Sequence, residues 1–143
     1  MMAAAAGNQA LNGFGMWAAE EKAIGALIGR IGLYRPPHFP DLEVNWLLGR
    51  LWWGKGLARE GAMACIAHAF GALASPTISA FIEAGNERSM GLALRLCTRL
   101  FVLDFGKLLF SGSPDEIRTS EIVRDAYLGS AAADATTPEE VPA

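Results

Sequence analysis

The chain has 143 residues, enough for about one domain. Hydrophobic residues make up 52% and charged residues 19%, which excludes a chain that is disordered throughout. Lys and Arg number 12 against 15 Asp and Glu, and three of the acids (Asp134, Glu139 and Glu140) fall in the C-terminal stretch. The body that remains is neutral and lacks the basic excess of a phosphate-backbone binder, so nucleic acid is not expected as a partner.

Cys65 and Cys97 show no CxxC spacing and have no companion histidine cluster. They read as small apolar thiols in a reducing compartment, and no metal is expected. The residues from Met1 to Ala6 lack the positive charge of a signal peptide. The longest uncharged run, Gly61 to Ile82, contains His68 and is cut by Ser75-Pro76, so no membrane insertion is expected and the chain reads as a cytoplasmic protein.

Met16 to Glu20 and Ala26 to Tyr34 are short apolar runs around the polar turn Glu21-Lys22, the pattern of a β-hairpin. Three prolines from Pro36 to Pro40 enforce a loop. Leu42 to Leu48 alternates, with Leu42, Val44, Trp46 and Leu48 on one face and Glu43, Asn45 and Leu47 on the other. A helix is predicted from about Leu57 to Leu73, its stripe of Met63, Ile66, Phe70 and Leu73 packing on a sheet. Thr77 to Ile82 is β-like, and Asn86 to Leu96 is helical with Met90, Ala93, Leu94 and Cys97 inward and Arg88, Arg95 and Arg99 outward. Leu100 to Leu103 and Leu108 to Phe110 flank Asp104-Phe105-Gly106-Lys107, a hairpin signal. Ser113-Pro114-Asp115-Glu116 is a capping box with proline at the first helical position. A second short helix is predicted from Glu121 to Leu128, with Gly129 as its cap and a disordered tail over 130–143. The order of elements is that of an α/β fold.

The segment Arg50 to Ala58 leads from a strand through a glycine-bearing turn directly into a helix. The first amides of such a helix have no partner within it, and its dipole adds positive charge, which together suit a pyrophosphate. The same residues also suit a turn that merely joins strand to helix. Gly49-x4-Gly54-Lys55 nearly spells a P-loop, but Gly56 stands where a hydroxyl would hold Mg²⁺. Gly13-Phe14-Gly15-Met16-Trp17-Ala18 matches a loose dinucleotide fingerprint, yet no strand precedes it.

Phe14-Gly15-Met16-Trp17, Ile28-Gly29-Arg30-Ile31-Gly32-Leu33, Leu42 to Leu48, Trp53-Gly54-Lys55-Gly56-Leu57-Ala58-Arg59-Glu60 and Ala84-Gly85-Asn86-Glu87-Arg88-Ser89 resemble, in order and spacing, the GNAT superfamily of N-acetyltransferases. The branch they most resemble includes the ribosomal-protein N-terminal acetyltransferases. The resemblance covers about residues 14–96 and implies a mixed sheet with flanking helices that takes acetyl-CoA as acyl donor. It implies that backbone groups of Leu47 and Leu48 bind the pantetheine arm where the strand splays from its neighbour. It implies further that the amides of Trp53, Gly54, Lys55, Gly56, Leu57 and Ala58 hold the pyrophosphate. Asn86 would bond the pantetheine or order the site, and Ser89 would lie on the cofactor side of its helix. Glu43 stands where many relatives place a general base acting on an amine acceptor, such as a protein N-terminus or a small amine; read by itself it also suits an exposed strand carboxylate. Trp46, Trp52 and Trp53 would pack the sheet and wall the acyl tunnel, and His68 reads as a structural histidine.

The chain departs from this pattern at both ends. At most thirteen residues precede the first recognisable strand, where the family has a strand and two helices. From Arg99, the run Leu100 to Leu109, then Gly112 to Ile117, then Ile122 to Gly129 resembles the C-terminal end of branched-chain amino-acid ABC transporter ATP-binding subunits. This segment carries no Walker or signature motif and implies packing rather than ATP hydrolysis. The expected organisation is an incomplete GNAT-like core over 1–98, the transporter-like segment over 99–129 with a β-hairpin and two short helices, and the tail over 130–143. Two other readings stand beside the acetyltransferase: a CoA-binding remnant without catalysis, and a transporter ATP-binding-subunit fragment without ATPase activity. The hairpin is expected to pair with the sheet edge at Thr77–Ile82, and failing that, the edge would be open to self-association into a homo-oligomer.

Overall fold

In a computed structural model of the chain, residues 9–37, 39 and 41–124 are described. The predicted cap at Gly129, the tail and the second half of the Glu121–Leu128 helix lie outside them; residues 121–124 are helical. The chain divides into two units, Met1–Ile82 and Glu83–Ala143.

The first unit is a mixed α/β layer built on a four-stranded sheet of order β1-β2-β3-β4. Strands β1 (Met16–Glu21), β2 (Ala26–Tyr34) and β3 (Leu42–Leu48) follow the sequence reading closely. β1 and β2 are antiparallel, with Met16 opposite Gly32, and β2 and β3 are antiparallel, with Tyr34 opposite Glu43. The fourth strand is far shorter than the predicted Thr77–Ile82: β4 is Ile78–Ser79, parallel to β3. Its start is tied to the start of β3, because the Thr77 hydroxyl donates to the Asp41 carboxylate. A strand lasts only as long as its neighbour stays beside it, and β4 loses β3 after two residue pairs.

Helix α1 (Leu57–Gly71) packs on β2 and β3. Its inward face is Ala62, Cys65 and Ala69, not the stripe read from the sequence. Ile66 and Leu73 are half-buried, whereas Met63 and Phe70 are exposed. The reason is distance. A Cβ built on Gly61 would stand 2.4 Å from Cδ1 of Ile31, so the helix lies too close to β2 for large side chains. Burial pushes the Cys65 thiol above its ordinary value, so it stays protonated and inert. Leu33 and Leu42 are the fully buried large side chains at the centre. His68 holds the segment before β1 onto the helix: its Nε2 lies 2.9 Å from the Gly13 carbonyl, a contact that requires the proton on Nε2, and its ring meets the Trp17 indole edge-on.

In the second unit, α2 (Glu87–Leu96) keeps Met90, Ala93 and Leu94 half-buried and Arg88 and Arg95 exposed, in the predicted sense. β5 (Leu100–Asp104) and β6 (Lys107–Gly112) form a hairpin. Its two-residue turn has positive φ at both Phe105 (44°) and Gly106 (79°), the primed geometry that matches strand twist. The hairpin is a two-stranded sheet of its own, so the expected pairing with the Thr77–Ile82 edge is not made. A single hairpin gains little from backbone pairing alone, and here Val102 supplies a buried apolar contact.

Helix α3 (Pro114–Thr119) opens with the predicted capping box: Ser113 N–H donates to Glu116 Oε2 at 2.7 Å, and Glu116 N–H donates to Ser113 Oγ at 3.3 Å. The donation from the Ser113 amide, helped by its hydroxyl, holds the Glu116 carboxyl below its ordinary value of 4.5. A carboxyl with a lower value folded than unfolded stabilises the fold at higher pH, and that contribution fades as pH falls through the folded value. We therefore expect the amide signals of residues 114–119 to shift toward coil values as the pH drops below the ordinary carboxylate range, and Glu116→Gln to remove that step. A wild-type profile identical to that of the variant would contradict the assignment.

Candidate functional site

The site begins where two parallel strands part. β3 and β4 are paired only at Leu42–Ile78 and Glu43–Ser79, and β3 then continues for five residues to Leu48 with no ladder on that side. Backbone groups at such an edge must find other partners, which makes a slot between splayed strands a place for an extended polar chain. Leu47 and Leu48 lie at the far end of that edge. Leu47 is exposed, and the Leu48 carbonyl accepts a 2.7 Å hydrogen bond from the Trp53 indole.

That indole contact folds the next segment back onto the strand. The amide of Gly49 donates to Ile28, a short 3-10 turn spans Arg50–Trp52, and Trp53 to Gly56 form the turn into α1. Gly54 (φ 74°) and Gly56 (φ 81°) are both left-handed, a backbone that side-chain-bearing residues adopt only with strain. A Cβ added at either would meet nothing within 4 Å, so the outer face of the turn is open. Gly56 caps α1 without a side chain, and the first amide bonded back into the helix is that of Glu60, to Gly56. The amides of Leu57, Ala58 and Arg59 are thus the unpaired first turn, at the positive end of the helix dipole. Cations sit beside them on aromatic supports: Lys55 Nζ is 4.6 Å from the Trp52 ring centre, and the Arg50 guanidinium 5.9 Å from that of Trp53.

Glu43 is buried, with 8% of its surface exposed. The sequence also allowed an exposed strand carboxylate, and burial removes that alternative. Asn45 Nδ2 donates to its Oε1 at 3.2 Å. No sealed side-chain oxygen or nitrogen among the described residues lacks a partner, so the second carboxylate oxygen, which accepts no bond among them, keeps access to solvent.

The structure thus brings Glu43, Leu47, Leu48, Trp53, Gly54, Lys55, Gly56, Leu57 and Ala58 into the first unit. Asn86 and Ser89 belong to the second, where the Asn86 side chain accepts from the Ser89 amide at 3.1 Å and caps α2. The sequence reading missed the indole bond from Trp53 to Leu48, and it missed Tyr34 as the neighbour of Glu43. Register is the signal that reveals the second, and it needs the pairing of β2 with β3. No group of three His, Cys, Asp or Glu residues among the described residues is placed to hold a metal ion. No helix among them is long and apolar enough to cross a membrane.

A family model described as "Acetyltransferase (GNAT) domain" matches residues 1–97. The chain belongs to the GNAT acetyltransferase family. A second model, described as "Branched-chain amino acid ATP-binding cassette transporter", matches residues 107–133, in agreement with the resemblance at that end. An acetyltransferase of Agrobacterium tumefaciens str. C58 superposes with a TM-score of 0.61 at 31% identity, over 70% of this GNAT chain and 59% of that one. A GNAT-family acetyltransferase from Bordetella pertussis shares the fold, with a TM-score of 0.62 at 22% identity, over 75% of this chain and 68% of the other. The uncharacterized protein YkkB of Bacillus subtilis (strain 168) is 30% identical over 87 residues, 59% of this chain and 50% of YkkB. The chain therefore spans half to about two thirds of the length of these relatives.

Proposed function

We propose that this GNAT chain binds acetyl-CoA and transfers its acetyl group to a primary amine, a protein N-terminus or a small amine. The observation that carries the reading is the parting of β3 from β4 after Glu43, at the root of a strand that runs into an open, left-handed glycine turn and a helix N-terminus. In this reading the unpaired edge of β3 near Leu47 and Leu48 takes the amide-bearing pantetheine arm, and the amides from Trp53 to Ala58 take the pyrophosphate.

The chemistry needs little more than position. The amine attacks the thioester carbonyl, a carbon–nitrogen bond forms, and the carbon–sulfur bond breaks with its electron pair leaving on sulfur. Glu43 takes the proton released by the amine, directly or through one water, and the thiolate takes a proton from solvent. Holding donor and acceptor together supplies most of the rate, with backbone amides stabilising the developing oxyanion.

The family matches end at residue 97 and resume at 107, which supports a boundary near 98 between the transferase-like part and a C-terminal segment whose role is packing. The test is a melt followed by an assay. Acetyl-CoA at 100 times its dissociation constant stabilises a native state that alone binds it by about 2.7 kcal/mol, which for a domain of this size raises the midpoint by several degrees. ATP should leave the midpoint unchanged. Thiol release on adding a primary amine then separates a transferase from a remnant that only binds. A midpoint indifferent to acetyl-CoA would overturn the reading.

A further inference from the structure

We propose that Tyr34 binds the acceptor amine beside Glu43, making the sheet face opposite α1 the acceptor surface. The inference rests on the proposed reading of Glu43 as proton acceptor. Tyr34 and Glu43 are directly opposed across β2 and β3, so their side chains leave the same face with Cβ atoms about 5 Å apart. Ile31, three residues before Tyr34 on the same strand, points the other way, into α1 at Gly61. The face that Tyr34 and Glu43 share is therefore the one α1 does not cover.

Along that row, most polar capacity is already committed. The Ser79 hydroxyl, in register on the other side of Glu43, donates to the Leu42 carbonyl at 3.4 Å. Asn45 occupies Oε1 of Glu43. Among the groups left over are the second oxygen of Glu43 and the Tyr34 hydroxyl, which makes no hydrogen bond among the described residues and belongs to a side chain 40% exposed. A neutral primary amine aims its lone pair at the carbonyl carbon and has two N–H bonds to place. One goes to Glu43, which takes that proton as the carbon–nitrogen bond forms, and the other to the Tyr34 oxygen, which accepts it and fixes the direction of attack. A secondary amine has a single N–H and must forgo one of the two.

The experiment titrates tetra-alanine, and its N-methylated form, at about pH 9, above the α-amino range of roughly 7.7–8.0 so that the amine is neutral, into protein saturated with CoA, for the wild type and Tyr34→Phe, with acetyl-CoA affinity and melting midpoint measured alongside. Loss of one hydrogen bond predicts that Tyr34→Phe weakens tetra-alanine binding about five- to tenfold. Its acetyl-CoA affinity and midpoint should match the wild type, and the N-methylated peptide should bind both proteins equally. Tetra-alanine affinity within twofold of wild type, an equal loss for both peptides, or no binding of tetra-alanine at all would overturn the role of Tyr34. If the wild type fails to bind acetyl-CoA, the underlying transferase reading falls instead.

Discussion

Gly32→Ala is expected to lower the unfolding free energy by roughly 3 kcal/mol or more. The new Cβ would stand 2.2 Å from the Gly15 carbonyl oxygen and 2.6 Å from the Met16 Cα. Both are backbone atoms, at the first residue of β1 and the residue before it, and the Gly15 carbonyl already accepts a 3.0 Å bond from the Leu33 amide. No rotamer change relieves such a contact, so the sheet must open between β1 and β2. Against a typical domain stability of about 5–15 kcal/mol this approaches unfolding. Urea denaturation should show a large fall in midpoint, while Gly71→Ala, whose Cβ meets nothing within 4 Å, should show none or a slight rise. Equal midpoints for wild type and Gly32→Ala would mean that β1 and β2 are not packed as described.

Glu43→Gln should lower kcat for amine acetylation by about 10²- to 10⁴-fold, the usual contribution of a positioned general base. The amide has the shape of the carboxylate and can keep the Asn45 contact after a flip, so folding and acetyl-CoA affinity should be preserved. The predicted signature is a kcat effect with the KM for acetyl-CoA unchanged. A variant that retains full kcat would remove Glu43 from the reaction and leave water or the substrate itself as base.

The first three strands were legible because their signals are local. Alternation from Leu42 to Leu48, the three prolines before it and the polar turn at Glu21-Lys22 give type, and boundaries to within one residue, without knowledge of neighbours. The glycine turn was legible for a similar reason, since positive φ at Gly54 and Gly56 is a demand on single residues. The fourth strand was not. Thr77–Ile82 has β-like composition throughout, but its length depends on where β3 turns away, a property of two segments some thirty-five residues apart.

The helix face shows the same limit from another side. Met63 and Phe70 are the larger apolar residues, and hydrophobicity alone ranks them as core. The clearance left by Gly61 against Ile31 reverses that order and buries Ala62, Cys65 and Ala69. At the candidate site, the pairing of Tyr34 with Glu43 follows from register, which the loop between β2 and β3 determines and the residues themselves do not declare.

The parted edge of β3 and the glycine turn after it are proposed to form one cofactor cradle. Backbone amide chemical shifts on addition of acetyl-CoA test it most directly. Saturable changes are expected at Leu47, Leu48 and the contiguous run from Trp53 to Ala58. Changes confined to other parts of the chain, or no change in the 53–58 run at saturating acetyl-CoA, would contradict it.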